Sequence, residues 1–257
     1  MALFNRELLR KNLNRCATNF SKADFLHKET AQIIIQSAQD FPENFDNILE
    51  IGAKDGFLGK KLKSKRLIQG EFSEKFVKNY GLNLVIDDEN LRFENKSFNL
   101  ILSNLNLHLI NDLPHFLQQS KNILKSKGRF IASFFGEENL KEMRKVFLTT
   151  EDEIHGKVSA RIAPNIDIKS AGMLLQKAGF SDVVCQKHSF EVSYSNLKNL
   201  FLDLRNMGQS NILNAKSRQF MSKNFFKKLE ENYQKLYSNS DGELICTFEI
   251  VIISCSN

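Results

Sequence analysis

From residue 47 onward, short apolar runs alternate with helix-spaced segments, and no other feature limits the possible folds as sharply. Asn47 to Gly52 (NILEIG) has the length and apolar content of a buried strand, and Gly56 to Leu62 starts a helix. Arg66 to Phe72 reads as a second strand, with a short helix from Ser73 to Tyr80. Leu82 to Asp87, Phe98 to Ser103 and Arg129 to Phe135 read as three more strands, and Asp112 to Leu124 as a helix ended by Lys127-Gly128. Strands separated by helices predict a parallel sheet with right-handed crossovers and both faces covered.

The flanking segments complete the expectation. Residues 3–19 carry Leu3, Phe4, Leu8, Leu9 and Leu13 at helical spacing, and residues 24–38 repeat the pattern before a turn at Asp40 to Asp46. Beyond Gly136, helices are expected at Glu138 to Leu148, Asp167 to Ala178, Asn196 to Met207 and Ser217 to Leu236. Thr149 to Asn165 reads as a polar loop, and Val183 to Val192 and Leu244 to Ile253 as late strands. With no repeat and no low-complexity linker, residues 1–257 are expected to form a single domain. It comprises a helical cap at 1–40, a cofactor-binding half at 47–136 and a substrate-side half at 137–257.

Charge and cysteine content narrow the class. The net charge is +6, but lysines are scattered among glutamates, and the densest basic run, Lys60 to Arg66, is short. No aromatic-plus-basic module is present, so a nucleic-acid partner is not expected. Cys16, Cys185, Cys246 and Cys255 form no CxxC and no disulfide or zinc framework. His155 and His188 have no ligand-spaced partners, so no metal is expected. The start lacks the apolar core of a secretory signal, and no apolar run approaches the ~20 residues that span a bilayer. A cytoplasmic location follows as the expectation. Nothing in the sequence sets an oligomeric state.

In open α/β sheets, ligands bind beyond the carboxyl ends of the strands. The first strand–helix turn here is Gly52-Ala53-Lys54-Asp55-Gly56. A dinucleotide fingerprint needs glycine at 52, 54 and 57, and the chain has Gly52, Lys54 and Phe57. An S-adenosylmethionine (SAM) pattern needs an acid at 50 and glycine at 52, 54 and 56. Glu50, Gly52 and Gly56 match, and Lys54 alone departs. A purely structural turn is the third alternative. Glu71 ends the second strand, where a carboxylate accepts from ribose hydroxyls, and Asp87 and Asp88 end the third, where one accepts from an adenine amino group.

The order LEIGAKDG, QGEFSE, IDDENLRF, FNLILSNLNLHLINDLP and LKSKGRFIASFFG resembles a class I SAM-dependent methyltransferase. ARIAPNIDIKSAGMLLQKAGFSDV, FLDLRNMGQSN and the start LFNRELLRKNLNR are similar to the mitochondrial complex I assembly methyltransferase-like family. That family is related to the malonyl-acyl-carrier-protein O-methyltransferase of biotin synthesis. The resemblance covers essentially the whole chain. It implies a Rossmann-like seven-stranded sheet with helices on both faces, an N-terminal helical cap and the last two strands antiparallel. It also implies SAM as cofactor, held by Glu50, Gly52, Ala53, Lys54 and Gly56, by Glu71 and Phe72, by Asp87 and Asp88, and by Ser103, Asn104 and Leu105.

Lys54 is the departure, because a second cation beside a sulfonium is repulsive unless a carboxylate neutralises it. It points outwards, meets the methionine carboxylate of SAM, or marks a site that has lost the cofactor. His108, after the fourth strand, is the candidate general base. Arg161 and Arg205 fall in the family-like stretches and are candidates for an acidic substrate or partner, including one linked to an acyl-carrier protein. Four functions follow: methyl transfer to an unidentified acceptor; hydroxylation or methylation of a respiratory-subunit arginine; methylation of malonyl-acyl-carrier protein; or a non-catalytic binding module.

Overall fold

Side-chain caps set where most helices begin. In the computed structural model, which describes residues 2–41, 45–156, 158–215 and 221–257, Asn5 accepts from Leu8 N–H and opens α1 (Arg6–Cys16). Ser73, Asp112, Asp167, Asn196 and Ser222 do the same for α4 (Glu74–Tyr80), α5 (Leu113–Ile123), α7 (Ile168–Lys177), α8 (Leu197–Asn206) and α9 (Lys223–Tyr237). Each satisfies a backbone donor that the first helical turn leaves without a partner. The remaining helices are α2 (Phe25–Gln39), α3 (Phe57–Lys60) and α6 (Lys141–His155).

The strands are β1 (Asn47–Ile51), β2 (Arg66–Glu71), β3 (Leu84–Val85), β4 (Phe98–Ser103), β5 (Leu124–Phe135), β6 (Ser181–Tyr194) and β7 (Leu244–Ser256). They form one sheet in the order β3-β2-β1-β4-β5-β7-β6. β1 to β5 are parallel, as expected. β7 runs antiparallel to both β5 and β6, so the wholly parallel reading fails at that edge and the antiparallel final pair is present. The order reverses beside β1, which puts the crevice at the ends of β1, β2 and β4.

Alternation along each strand divides the core in two. Ile48, Leu100, Leu102, Ile250 and Ile252 pack on one face with α2, α6, α8 and α9 residues. Leu49, Ile51, Ile101, Val251 and Ile253 pack on the other with Phe116 and Leu117 of α5 and Leu175 of α7. A third cluster joins Leu9, Leu13 and Cys16 of α1 to Phe76, Leu109, Ile212 and Leu213. It holds α1 over the carboxyl-end turns.

Three boundaries differ from expectation. β3 is two residues long, because Asp87 and Asp88 turn away toward other partners. β5 begins at Leu124, through an irregularity between Phe98 and Leu100 in its pairing with β4, so Lys127-Gly128 lies inside the strand. α6 continues to His155, across the start of the expected loop, because Thr150 and Glu151 are buried on its inner face. Residues 42–44 of the expected turn and 217–220 of the expected last helix lie outside the described residues. Among the described residues no helix is long and apolar enough to cross a membrane.

Candidate functional site

The turn after β1 is held by its own backbone. Gly52 and Ala53 N–H both donate to Gly70 O, and Gly56 N–H donates to Ala53 O. Gly52 and Gly56 sit at φ 71°, which glycine adopts without strain. A Cβ on Gly52 would lie 2.6 Å from Cγ of Asn106. Glu50 braces the turn from below, with Oε2 accepting from Gly59 N–H at 3.1 Å and Gln69 Nε2 at 2.6 Å. Burial pushes its carboxyl up to about 7.

Lys54 does not point outwards. It takes φ 50°, is 2 % exposed, and its backbone N–H and Nζ both donate to Glu71 Oε2, at 3.0 and 3.1 Å. The other oxygen of Glu71 accepts from Phe72 N–H at 2.8 Å. A buried lysine is tolerated only with such a partner. The expected ribose acid therefore lies at the end of β2, with both oxygens engaged from within the chain.

The adenine-side acids are also engaged. Arg6, from α1, donates to Asp87 Oδ1 at 2.7 Å and to Asp88 Oδ1, and its guanidinium lies 4.1 Å from the centre of the Phe72 ring. Asp87 is exposed, whereas Asp88 is 3 % exposed, with its second oxygen accepting from Asn106 Nδ2 at 2.8 Å. Burial raises the Asp88 carboxyl, and Arg6 opposes the rise. Asp88 is thus the inward member of the pair.

Ser103, Asn104 and Leu105 close the β4 end. Ser103 Oγ donates to Ile51 O, Asn104 Nδ2 donates to His27 O at 2.8 Å, and Leu105, at φ 48°, donates its N–H to Ser133 Oγ. His27 of α2 is buried, and neither ring nitrogen has a partner. Burial, with the charge of Lys54 second, holds it down to about 3. His27, Gly52, Ala53, Lys54 and Asn104 enclose a cavity of about 10 Å³, room for no more than one water.

The donor set fits SAM in kind. It offers glycine where a ligand approaches the backbone, carboxylates at the ends of β2 and β3, the Phe72 ring and an orphaned histidine. In this conformation Lys54 occupies Glu71, and Arg6 and Asn106 occupy Asp88.

The far side of α1 is built differently. A cavity of about 600 Å³ opens between α1, α6 and α8, lined by Asn12, Arg15, His108, Arg161, Arg205 and Gln209 among apolar residues. His108 also lines an apolar cavity of about 250 Å³. Its Nε2 meets Gln209 Oε1 at 2.9 Å, and its Nδ1 accepts from Phe135 N–H at 3.4 Å. Burial holds it down to about 4, so it is neutral at pH 7. With Nδ1 accepting, the proton sits on Nε2, and His108 orients Gln209 rather than offering a free base. Arg161 is committed to Glu151, at 2.7 Å. Arg205 is exposed and has no carboxylate partner among the described residues. The described residues contain no group of metal-ligating side chains.

Sequence reasoning missed Arg6, Arg15, His27 and Asn106. Asn106 had a signal, since it alternates with leucines in SNLNLHL, where a polar residue needs a buried partner. His27 sits on the apolar face of α2 beside Leu26, Thr30 and Ala31. Arg6 and Arg15 carry no local signal.

Comparison with known proteins agrees with this geometry. A family described as "Methyltransferase domain" matches residues 49–132. Human "Arginine-hydroxylase NDUFAF5, mitochondrial" is 31% identical over 96% of this chain and 75% of its own length. A Rickettsia prowazekii protein named as a methyltransferase is 37% identical over 76% of this chain and 88% of its own. A malonyl-[acyl-carrier protein] O-methyltransferase of Gallionella capsiferriformans is 25% identical over 97% and 90%. In fold, the YcgJ protein of Bacillus subtilis superposes with a TM-score of 0.61 over 90% of this chain and 99% of that one, at 13% identity. Strand order, glycine turn, terminal acids and these relatives agree: the chain belongs to the class I SAM-dependent methyltransferases, in the family that includes mitochondrial NDUFAF5.

Proposed function

We propose that the chain transfers a methyl group to an acceptor bearing an anionic group, held in the 600 Å³ cavity. The observation that carries this is the pair Arg15 and Arg205, both lining that cavity and both without a carboxylate partner among the described residues. Burial first, and the nearby charge of Arg205 second, lower the Arg15 guanidinium from its ordinary value, so the two cations repel and favour an anion between them.

SAM, when bound, supplies an electrophilic methyl group. The chain's own contribution is orientation, which dominates in a displacement reaction. Phe135, Met143, Phe147 and Phe201 give the acceptor an apolar wall. A carboxylate acceptor is already nucleophilic and needs no base, which agrees with a His108 engaged at both nitrogens. Malonyl-acyl-carrier protein, named for the Gallionella relative, is an acceptor of this kind. A cytoplasmic location is part of the proposal, supported by four free cysteines.

Modification of a protein arginine is the second reading, favoured by 31% identity to NDUFAF5 across nearly the whole chain. Arg15 and Arg205, without a carboxylate partner among the described residues, oppose it, because a guanidinium acceptor would meet like charge. Incubation with SAM and either malonyl-acyl-carrier protein or an arginine peptide, with dioxygen and a two-electron reductant also supplied to the peptide, followed by mass spectrometry, tests both. Addition of one methyl to the malonyl group supports the first reading. Addition of a methyl or an oxygen to arginine, with none to malonyl, overturns it.

A further inference from the structure

We propose that Arg6 gates the cofactor site: its guanidinium stands in for the purine, and the cofactor enters only when α1 releases it. This rests on the cofactor reading above. One flat cation stacks 4.1 Å over Phe72, donates to Asp87 and Asp88, and lies 3.7 Å from Glu89. A purine with an exocyclic amino group calls for the same two things, an aromatic face and a carboxylate acceptor. Both cannot hold Phe72 and Asp88 together. Asp88 is 3 % exposed and its other oxygen is taken by Asn106, so both of its oxygens are engaged while Arg6 is in place.

The helix that carries Arg6 is also the wall of the acceptor cavity, through Leu8, Asn12 and Arg15. Further along it, Asn14 accepts from Ser73 Oγ at 2.7 Å, beside Phe72, and Arg15 donates to Ser210 at 3.1 Å. Displacing Arg6 therefore disturbs the segment that shapes the acceptor cavity. Cofactor and acceptor are coupled through α1, and each must change the affinity of the other by the same factor.

The experiment is calorimetry of S-adenosylhomocysteine binding to the intact protein and to Arg6→Ala, with amide hydrogen exchange of α1 in the intact protein. The variant removes the closed state's clamp, so it is expected to bind about tenfold tighter or more. Exchange across residues 6–16 is expected to speed up on adding S-adenosylhomocysteine to the intact protein. Equal or weaker binding by the variant, or slowed or unchanged exchange, overturns the inference and leaves the cofactor reading standing. No binding by either protein at millimolar ligand overturns both. If Arg6→Ala does not fold, Arg6→Gln, which retains an amide donor, replaces it, and the exchange result in the intact protein decides by itself.

Discussion

The two sides of the crevice treat charge in opposite ways. At the cofactor end, Glu50, Glu71, Asp87 and Asp88 are all matched by donors from the chain, and the cavity is about 10 Å³. Across α1, a cavity of about 600 Å³ carries two arginines, Arg15 and Arg205, with no carboxylate partner among the described residues. The difference teaches that the carboxylates of the first end are answered from within the chain, whereas the cations of the second are not. A buried charge is tolerated only when it is met from within the chain, whereas a charge beside an open cavity is free to meet a ligand.

The sharpest way to break this comparison is Glu71→Gln. It strands Lys54 as a buried, unpaired cation and is expected to cost about 3–5 kcal/mol in urea unfolding. A loss near zero would mean that the cofactor end is not held by its own charges.

Glu50 gives the next effect, through pH. Its carboxyl is raised to about 7 in the folded protein, from 4.5. Between those values the folded chain holds a proton that the unfolded chain has released. Stability therefore falls as pH rises from about 4.5 to about 7, by about 3 kcal/mol from this group. Glu50→Gln is expected to flatten that part of the stability–pH curve relative to the parent, and parallel curves would refute the assignment. Gly52→Ala follows, at about 2 kcal/mol, because it combines a positive φ with a Cβ 2.6 Å from Asn106. Combining it with Asn106→Ala should recover only the contact part of the loss.

Arg205→Ala is the smallest in stability and sharpens the contrast from the other side. Thermal or urea unfolding should move by no more than about 0.5 kcal/mol, since no ion pair is lost. The acceptor KM should rise about tenfold, or about 1.4 kcal/mol, with kcat little changed. A stability loss without a KM change would make Arg205 structural.

Much of this arrangement was legible because it is local. The alternation of runs located all seven strands, and Phe98–Ser103 matched at both ends, since apolar content and length are properties of the segment itself. Asp167 was readable as a cap because its partner, Ser170 N–H, is three residues away. The acids at the ends of β2 and β3 were readable from their place after apolar runs. What engages them was not. Arg6 lies 81 and 82 residues before Asp87 and Asp88, and Asn106 lies 18 after Asp88 across a strand and a turn. Such pairings are made by the crossover topology, and no spacing rule records them. Lys54 was ambiguous because the partner that draws it inward, Glu71, lies 17 residues away on the next strand.

β7 carries a consequence of another kind. It is inserted between β5 and β6, so residues 181–194 have no neighbour on that side until residues 244–256 exist. Closing so long a loop before any pairing forms is slow, and the unpaired β6 edge is exposed meanwhile. On the ribosome, the half of the protein containing β1 to β5 can assemble early, but the sheet remains open at one edge until synthesis reaches the last strand. Chaperone dependence and aggregation during synthesis should concentrate in that interval, while β6 waits for its partner.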